Sequence, residues 1–470
     1  MRIDDSIGPR SLLPAVAQVF TLAARKVHDI NRSWEANQGT PVCTVAGRYT
    51  SRGWTEWTQG FQYGCALLVF DGTADRKMLE LGRTKTRRYM VPHLTHTGVH
   101  DHGFNNLSTY GNLWRLMREG RIKHNEDERA VYELALQVSG AVQAARWAGV
   151  PVPQPSPWAA NSPALGYIYS FNGPHSLFVD TLRTTRILGV AWQLGQVLRH
   201  EGDRAANLLK RSVLHGLTTS QYVIFHGDSG HTYDVPGRTS HEAIFNRNDG
   251  GFRCRSTQQG YSPFSTWSRG LAWAMLGFAE ELEFFDIIPN AEFKTSVGLS
   301  KQDVLRVYER NAIATCEHYL NDVSASDGIP YWDDGAPGLA QLNDWRSQPA
   351  NPSNDFEPVD SSAAAIAAQG LMRLGHYLGR KGTRYTQAGL TIARTLFDRP
   401  YLSIDPRHQG LILHSIYHRP NGWDHIPPGR KIPCGESSLW GDYHALELAV
   451  LIQRLAGHGN YPTFFASWRT

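Results

Sequence analysis

Gln259-Gly260-Tyr261-Ser262, followed by Ser265-Thr266-Trp267-Ser268-Arg269-Gly270-Leu271-Ala272-Trp273, is a loop dense in polar and aromatic side chains that runs directly into a hydrophobic helical stretch. Five other places in the chain repeat this junction: at Trp57, at Asp101, at the Gly173-Pro174-His175 turn before Asp180, at Asp360 and at Glu436. Each introduces a run with helical spacing of its apolar residues. The period predicts helices at Trp57–Phe70, Phe104–Arg118, Ser176–Arg199, Phe264–Phe285, Ser361–Gly379 and Ser437–Leu455. Between them lie six plainer amphipaths with charged outer faces, Arg10–Trp34, Ala74–Met90, Asn125–Ala148, Asp203–Val223, Lys301–Leu320 and Thr383–Phe397. A helix pair of this kind cannot bury its apolar stripe alone, and closing six pairs into a ring solves that. The expectation is an all-α (α/α)6 barrel whose six polar loops converge on one funnel. An open helical solenoid would lack that shared funnel.

The totals agree with one large unit. The 470 residues are 41% hydrophobic, and no linker or shift in composition divides them, so residues 1–470 read as a single domain. Net charge is +4 from 47 basic and 43 acidic residues. The one compact basic cluster, Arg83, Lys85, Arg87 and Arg88, is too small to point to nucleic acid. Five scattered cysteines without a CxxC pair indicate neither a disulfide framework nor a thiolate metal site, and a reducing, cytoplasmic setting is expected. Leu12–Ala24 is apolar enough to suggest a signal segment, but Asp4 and Asp5 precede it and its apolar residues follow a helical period. No stretch is long enough for a membrane span. Fourteen tryptophans suit either core packing or stacking on sugar rings.

Polar residues stand out where a helix would otherwise begin its apolar face: Trp57-Thr58-Gln59-Gly60-Phe61, His100-Asp101-His102-Gly103-Phe104 with Tyr110-Gly111-Asn112, Phe178-Val179-Asp180-Thr181, and the stretch quoted first. With Thr239-Ser240-His241, Pro330-Tyr331-Trp332-Asp333, Asp360-Ser361-Ser362-Ala363-Ala364 and Leu439-Trp440-Gly441-Asp442-Tyr443, these stretches resemble glycoside hydrolase family 88, the unsaturated glucuronyl hydrolases, in the same order and across roughly residues 50–455. The resemblance implies an (α/α)6 toroid and the hydration of a C4=C5 double bond. Such a bond is left at the non-reducing end of an oligosaccharide by a polysaccharide lyase, and the unsaturated uronic acid is released. It implies Asp180 as general acid/base and Asp101 as the second acid. Trp57, His100, His241, Gln259, Trp267, Arg269 and Trp273 would bind substrate, with Arg269 facing the uronate carboxylate. No cofactor or metal is implied.

Read as residues alone, several of these carry plainer alternatives. Asp101 could serve simply as the N-cap of the helix near Phe104. Burial on an apolar helix beside Leu177, Phe178 and Val179 would raise the Asp180 pKa as a proton donor requires, while the plainer alternative is a helix-interior acid bonded to a neighbouring helix. The imidazole-rich run His93, His96, His100, His102 has spacing that could hold a transition metal, although Thr97-Gly98-Val99 breaks any helix that would align it. Two long loops, Trp147–Asn172 and Ala336–Pro358, are expected to rim the funnel. The resemblance places basic His418–Lys431 beside the residue next to the scissile bond, where it could hold a sulfate or second carboxylate or simply form a solvated charged loop. Rival activities are unsaturated rhamnogalacturonyl hydrolysis of the family 105 type, sugar 2-epimerisation using paired histidines such as His100 and His241, or carbohydrate binding without catalysis.

Overall fold

The structure is a computed structural model that describes residues 1–53, 56–151 and 164–466. Twelve helices form six hairpins: α1 Leu13–Ser33, α2 Gln59–Thr73, α3 Arg76–Tyr89, α4 at 102–118, α5 Glu126–Ala145, α6 at 181–193, α7 Leu208–Tyr222, α8 Ser268–Ile287, α9 Lys301–His318, α10 Ser361–Leu378, α11 Thr383–Leu396 and α12 Leu439–Leu455. The even-numbered helices pack side to side in chain order and α12 returns to α2, closing a ring, the (α/α)6 barrel. The odd-numbered helices pack around it.

Sequence explains which helix takes which layer. α5 is capped by Asn125, whose side chain accepts the Glu128 N–H, and carries Glu126, Asp127 and Glu128 in its first turn, where the helix dipole favours acids. One stripe of it is buried and the rest meets water. α10, by contrast, is buried on every side through Ala363–Ala368, because small side chains let neighbouring helices approach from all directions. The seam that joins α4 to α6 is tight. A methyl group on Gly103 would sit 2.1 Å from the Thr184 carbonyl oxygen, so only glycine fits there.

The largest departure from the expected elements concerns Asp180. Ser176–Phe178 is not the start of a helix but a strand paired antiparallel with Glu242–Phe245, which in turn pairs with Phe252–Ser256. Helix α6 begins only after Asp180 and ends at Gln193; Leu198–Arg199 then pairs with Ala205–Ala206. Asp180 therefore stands at the junction of strand and helix, not inside a hydrophobic helix. Strands also pair Trp147–Pro151 with Ala164–Ile168, within the first of the two long loops; residues 152–163 of that loop lie outside the described residues. No helix among the described residues is long and apolar enough to cross a membrane.

Candidate active site

The starts of the inner helices surround a cavity of about 530 Å³, room for a disaccharide. Trp57, His100, Asp101, Asp180, Gln259, Trp267, Arg269 and Trp273 all line it, and His241 stands directly behind Asp180.

Both acids occupy helix N-cap positions, Asp101 before α4 and Asp180 before α6, and neither side chain makes a capping bond. This separates them from Asp360, whose carboxylate accepts the Ser362 and Ala363 N–H groups at the start of α10. The capping account of Asp101 thus gives its position but not the use of its carboxylate. His100 Nε2 lies 3.1 Å from Asp180 Oδ2 and 3.7 Å from Asp101 Oδ1, so one imidazole bridges two acids across the α4–α6 seam. On the other side of Asp180, His241 Nδ1 accepts the Gln258 N–H at 3.0 Å. Burial lowers the His241 pKa to about 4, so the ring is neutral and its proton sits on Nε2, 3.9 Å from Asp180 Oδ1.

These contacts reverse the expected titration. Burial works to raise the Asp180 pKa, but the His100 hydrogen bond and charge, aided by His241, bring it below its ordinary value. Asp101 is the acid held above its ordinary value, by burial first and by the Asp180 charge, with His100 opposing. Burial works against a proton on His100, yet the two acids raise its pKa overall. The three groups are in contact, and the shifts favour the charged form of Asp180 while His100 and Asp101 hold protons more tightly than usual.

Arg269 is deeply buried on α8. Its Nη2 donates to Gln259 Oε1 at 3.1 Å and to the Tyr417 carbonyl at 2.6 Å, and its Nε lies 3.5 Å from Asp360. Its guanidinium sits 4.6 Å from the Trp267 ring centre and 4.8 Å from that of Trp440. Part of the fork expected for a uronate is thus already engaged in holding the 417–424 segment. Asp424 fixes the same segment by accepting the Tyr417 and His418 N–H groups. Trp267 and Trp273 are only 4% and 1% exposed, so they serve mainly as wall; Trp57, half-buried and bonded through Nε1 to Tyr417 Oη, offers more of its face.

The histidine-rich run does not converge. His102 bonds Ser139 Oγ and the His96 carbonyl between α4 and α5, and His93 meets Asn105. Among the described residues, the set whose ligand atoms gather within 4.8 Å of one another is His100, Asp101 and Asp180. Sequence reasoning missed Glu56 and Tyr417 on the cavity wall, and it pointed to the segments but not the side chains that bring Phe171, Asn172, Asn421 and Trp423 there. The 418–431 segment was singled out for its cations, yet its amide and aromatic side chains reach the cavity. Arg430 bonds the Asn354 carbonyl and Lys431 pairs with Asp355. The Ala336–Pro358 loop contributes nothing to the cavity wall among the described residues, whereas the first long loop supplies Phe171 and Asn172.

No family model matches the chain. An unsaturated glucuronyl hydrolase of Bacillus sp. (strain GL1) is 25% identical over 426 residues, covering 88% of this chain and 90% of that protein. The crystal structure of the unsaturated glucuronyl hydrolase from Bacillus sp. GL1 superposes with a TM-score of 0.67 at 22% identity, covering 97% of this chain and 99% of the other. A mutant unsaturated glucuronyl hydrolase from Streptococcus agalactiae complexed with dGlcA-GalNAc6S reaches 0.60 at 18% identity, covering 96% and 93%. These structures show the fold; the sequence match runs along nearly the same length. Along nearly its whole length the chain is thus similar to unsaturated glucuronyl hydrolases, the family that its motifs resemble.

Proposed function

We propose that the protein removes a 4,5-unsaturated uronic acid from the non-reducing end of lyase-generated oligosaccharides by hydrating the C4=C5 bond. The observation that carries this is the pair of cavity acids, neither engaged as a helix cap, joined by His100. Hydration of an enol ether needs a proton delivered to C4 and a base to take one from the water that adds at C5. Ionised Asp180 suits the base, and the protons favoured on Asp101 and His100 supply the acid. A bound uronate adds negative charge beside the trio and raises the affinity of every member for protons, which strengthens both the hold on the acid's proton and the basicity of Asp180 as the substrate seats. The resulting hemiketal opens and the aglycone leaves.

His100 and His241 both approach the same carboxylate. An epimerase needs its two bases on opposite faces of a sugar, so this placement favours hydration. The test is the loss of alkene ultraviolet absorbance on a panel of lyase-generated disaccharides and rhamnogalacturonan fragments. Decay on the glucuronyl substrates is expected; a flat trace across the whole panel overturns the reading, and decay on rhamnogalacturonan fragments alone moves it to the family 105 type.

A further inference from the structure

We propose that the mouth of the cavity accepts a neutral, hydroxyl-bearing sugar next to the unsaturated uronate and disfavours one that carries sulfate, provided that the protein is the hydrolase proposed above. The lining residues divide by depth. Asp101, Asp180 and Arg269 form a buried floor, whereas Glu56, Phe171 and Asn421 are exposed and Asn172 and Trp423 half-exposed. With the uronate on the floor, the aglycone meets this outer set.

A sulfate is recognised through charge-assisted hydrogen bonds from full cations. Among the described lining residues the permanent cation is Arg269, which lies on the floor, already faces Asp360 and is the natural seat of the uronate itself. His418 is kept neutral near pH 7, because burial lowers its pKa to about 4. The permanent charge at the mouth is the Glu56 carboxylate, which repels a second anion. Nearby cations already have partners, Arg52 beside the mouth itself. Arg430 and Lys431 face the 353–355 turn, and Arg52 lies 4.8 Å from the Trp423 ring centre while donating to the Trp423 carbonyl. Residues 152–163, outside the described part, contain no Lys or Arg. What the mouth does present is an indole, a phenyl ring, the half-buried His96 imidazole and two side-chain amides, a combination that stacks on a sugar ring and bonds its hydroxyls.

The experiment compares kcat/KM for chondroitin disaccharides released by a lyase that differ only in sulfation: unsulfated, 4-sulfated and 6-sulfated, read by alkene absorbance. At least a tenfold preference for the unsulfated member is expected. Equal or faster turnover of either sulfated member overturns the inference while leaving the hydrolase reading intact; no decay on any member, nor on unsulfated hyaluronan and gellan fragments, overturns both. Glu56→Lys should raise the ratio of sulfated to unsulfated kcat/KM severalfold. A folded variant with the wild-type ratio shows that charge at the mouth does not read the aglycone, and sinks the inference.

Discussion

Gly103→Ala tests whether the α4–α6 seam sets the catalytic geometry. The added methyl would lie 2.1 Å from the Thr184 carbonyl oxygen and 2.6 Å from its Cα, both backbone atoms that cannot rotate aside. Restoring ordinary contact requires the seam to open by about 1 Å. His100 and Asp101 stand on one side of that seam and Asp180 on the other. The His100–Asp180 separation, 3.1 Å, would therefore stretch to about 4 Å, outside hydrogen-bonding range. The bond from Thr184 Oγ1 to the His100 carbonyl, 2.8 Å, spans the same gap and would lengthen with it. Overpacking of this kind costs about 1–3 kcal/mol of stability, whereas misplacing a catalytic group by about 1 Å costs on the order of 100-fold in rate. A folded enzyme with kcat down about 100-fold is expected, measured by alkene absorbance well below the melting temperature. Gly140→Ala is the control: its methyl would meet Ala191 Cβ at 2.4 Å, opening α5 from α6 away from the acids. It should lose comparable stability and keep a rate near wild type. A folded Gly103→Ala enzyme with wild-type kcat, or equal rate losses in both variants, refutes the reasoning.

Asp180→Asn should lower kcat by roughly 10³-fold or more with the fold retained; wild-type turnover would move the proton-handling group elsewhere. Asp101→Asn should be less severe, about 10- to 100-fold, and should shift the pH–rate profile because it removes the acid that shares protons with His100; an unshifted profile removes it from the unit. Glu281, buried in α8 with Oε1 accepting from Ser212 and Thr185, has its pKa raised to about 7 by burial. A carboxyl that binds its proton more tightly when folded stabilises the protein below about pH 4.5 relative to neutral, and that advantage fades as pH rises through about 7. Glu281→Gln should therefore flatten thermal stability between pH 5 and 8 and raise the melting temperature at pH 8. A variant that keeps the wild-type slope locates that dependence in other groups.

The ring of hairpins was legible because its signal is periodic and repeated. Ala363–Ala368 and the amphipathic α5 declare their layers without any knowledge of their neighbours. Asp101 and Asp180 were legible as polar residues out of place at the start of apolar runs. The conformation around Asp180 was not. Ser176-Leu177-Phe178-Val179 is a short apolar run that suits a strand or a helix equally by period, and its partner Glu242–Phe245 lies more than sixty residues onward. The direction of the Asp180 pKa was hidden for a related reason. It depends on His100 reaching across a helix seam, and apolar neighbours in sequence pointed the opposite way. In 418–431 the cations drew attention, but charge in sequence says nothing about direction: Asp355 and the Asn354 carbonyl hold Lys431 and Arg430 to another loop.

All six inner helices start near the cavity, since each follows one of the polar loops that line or underlie it. Their axial dipoles therefore lean the same way, and each contributes roughly half a positive charge at that end. At the bottom of the bowl these backbone charges, with Arg269, offset the carboxylates of Asp101, Asp180 and Asp360. The field fades within about one helical turn, so it grips a carboxylate that has descended fully and leaves groups at the lip untouched. For the substrate proposed above, the consequence is that a carboxylate gains from these helix ends only once it reaches the floor, which favours entry by the uronate end.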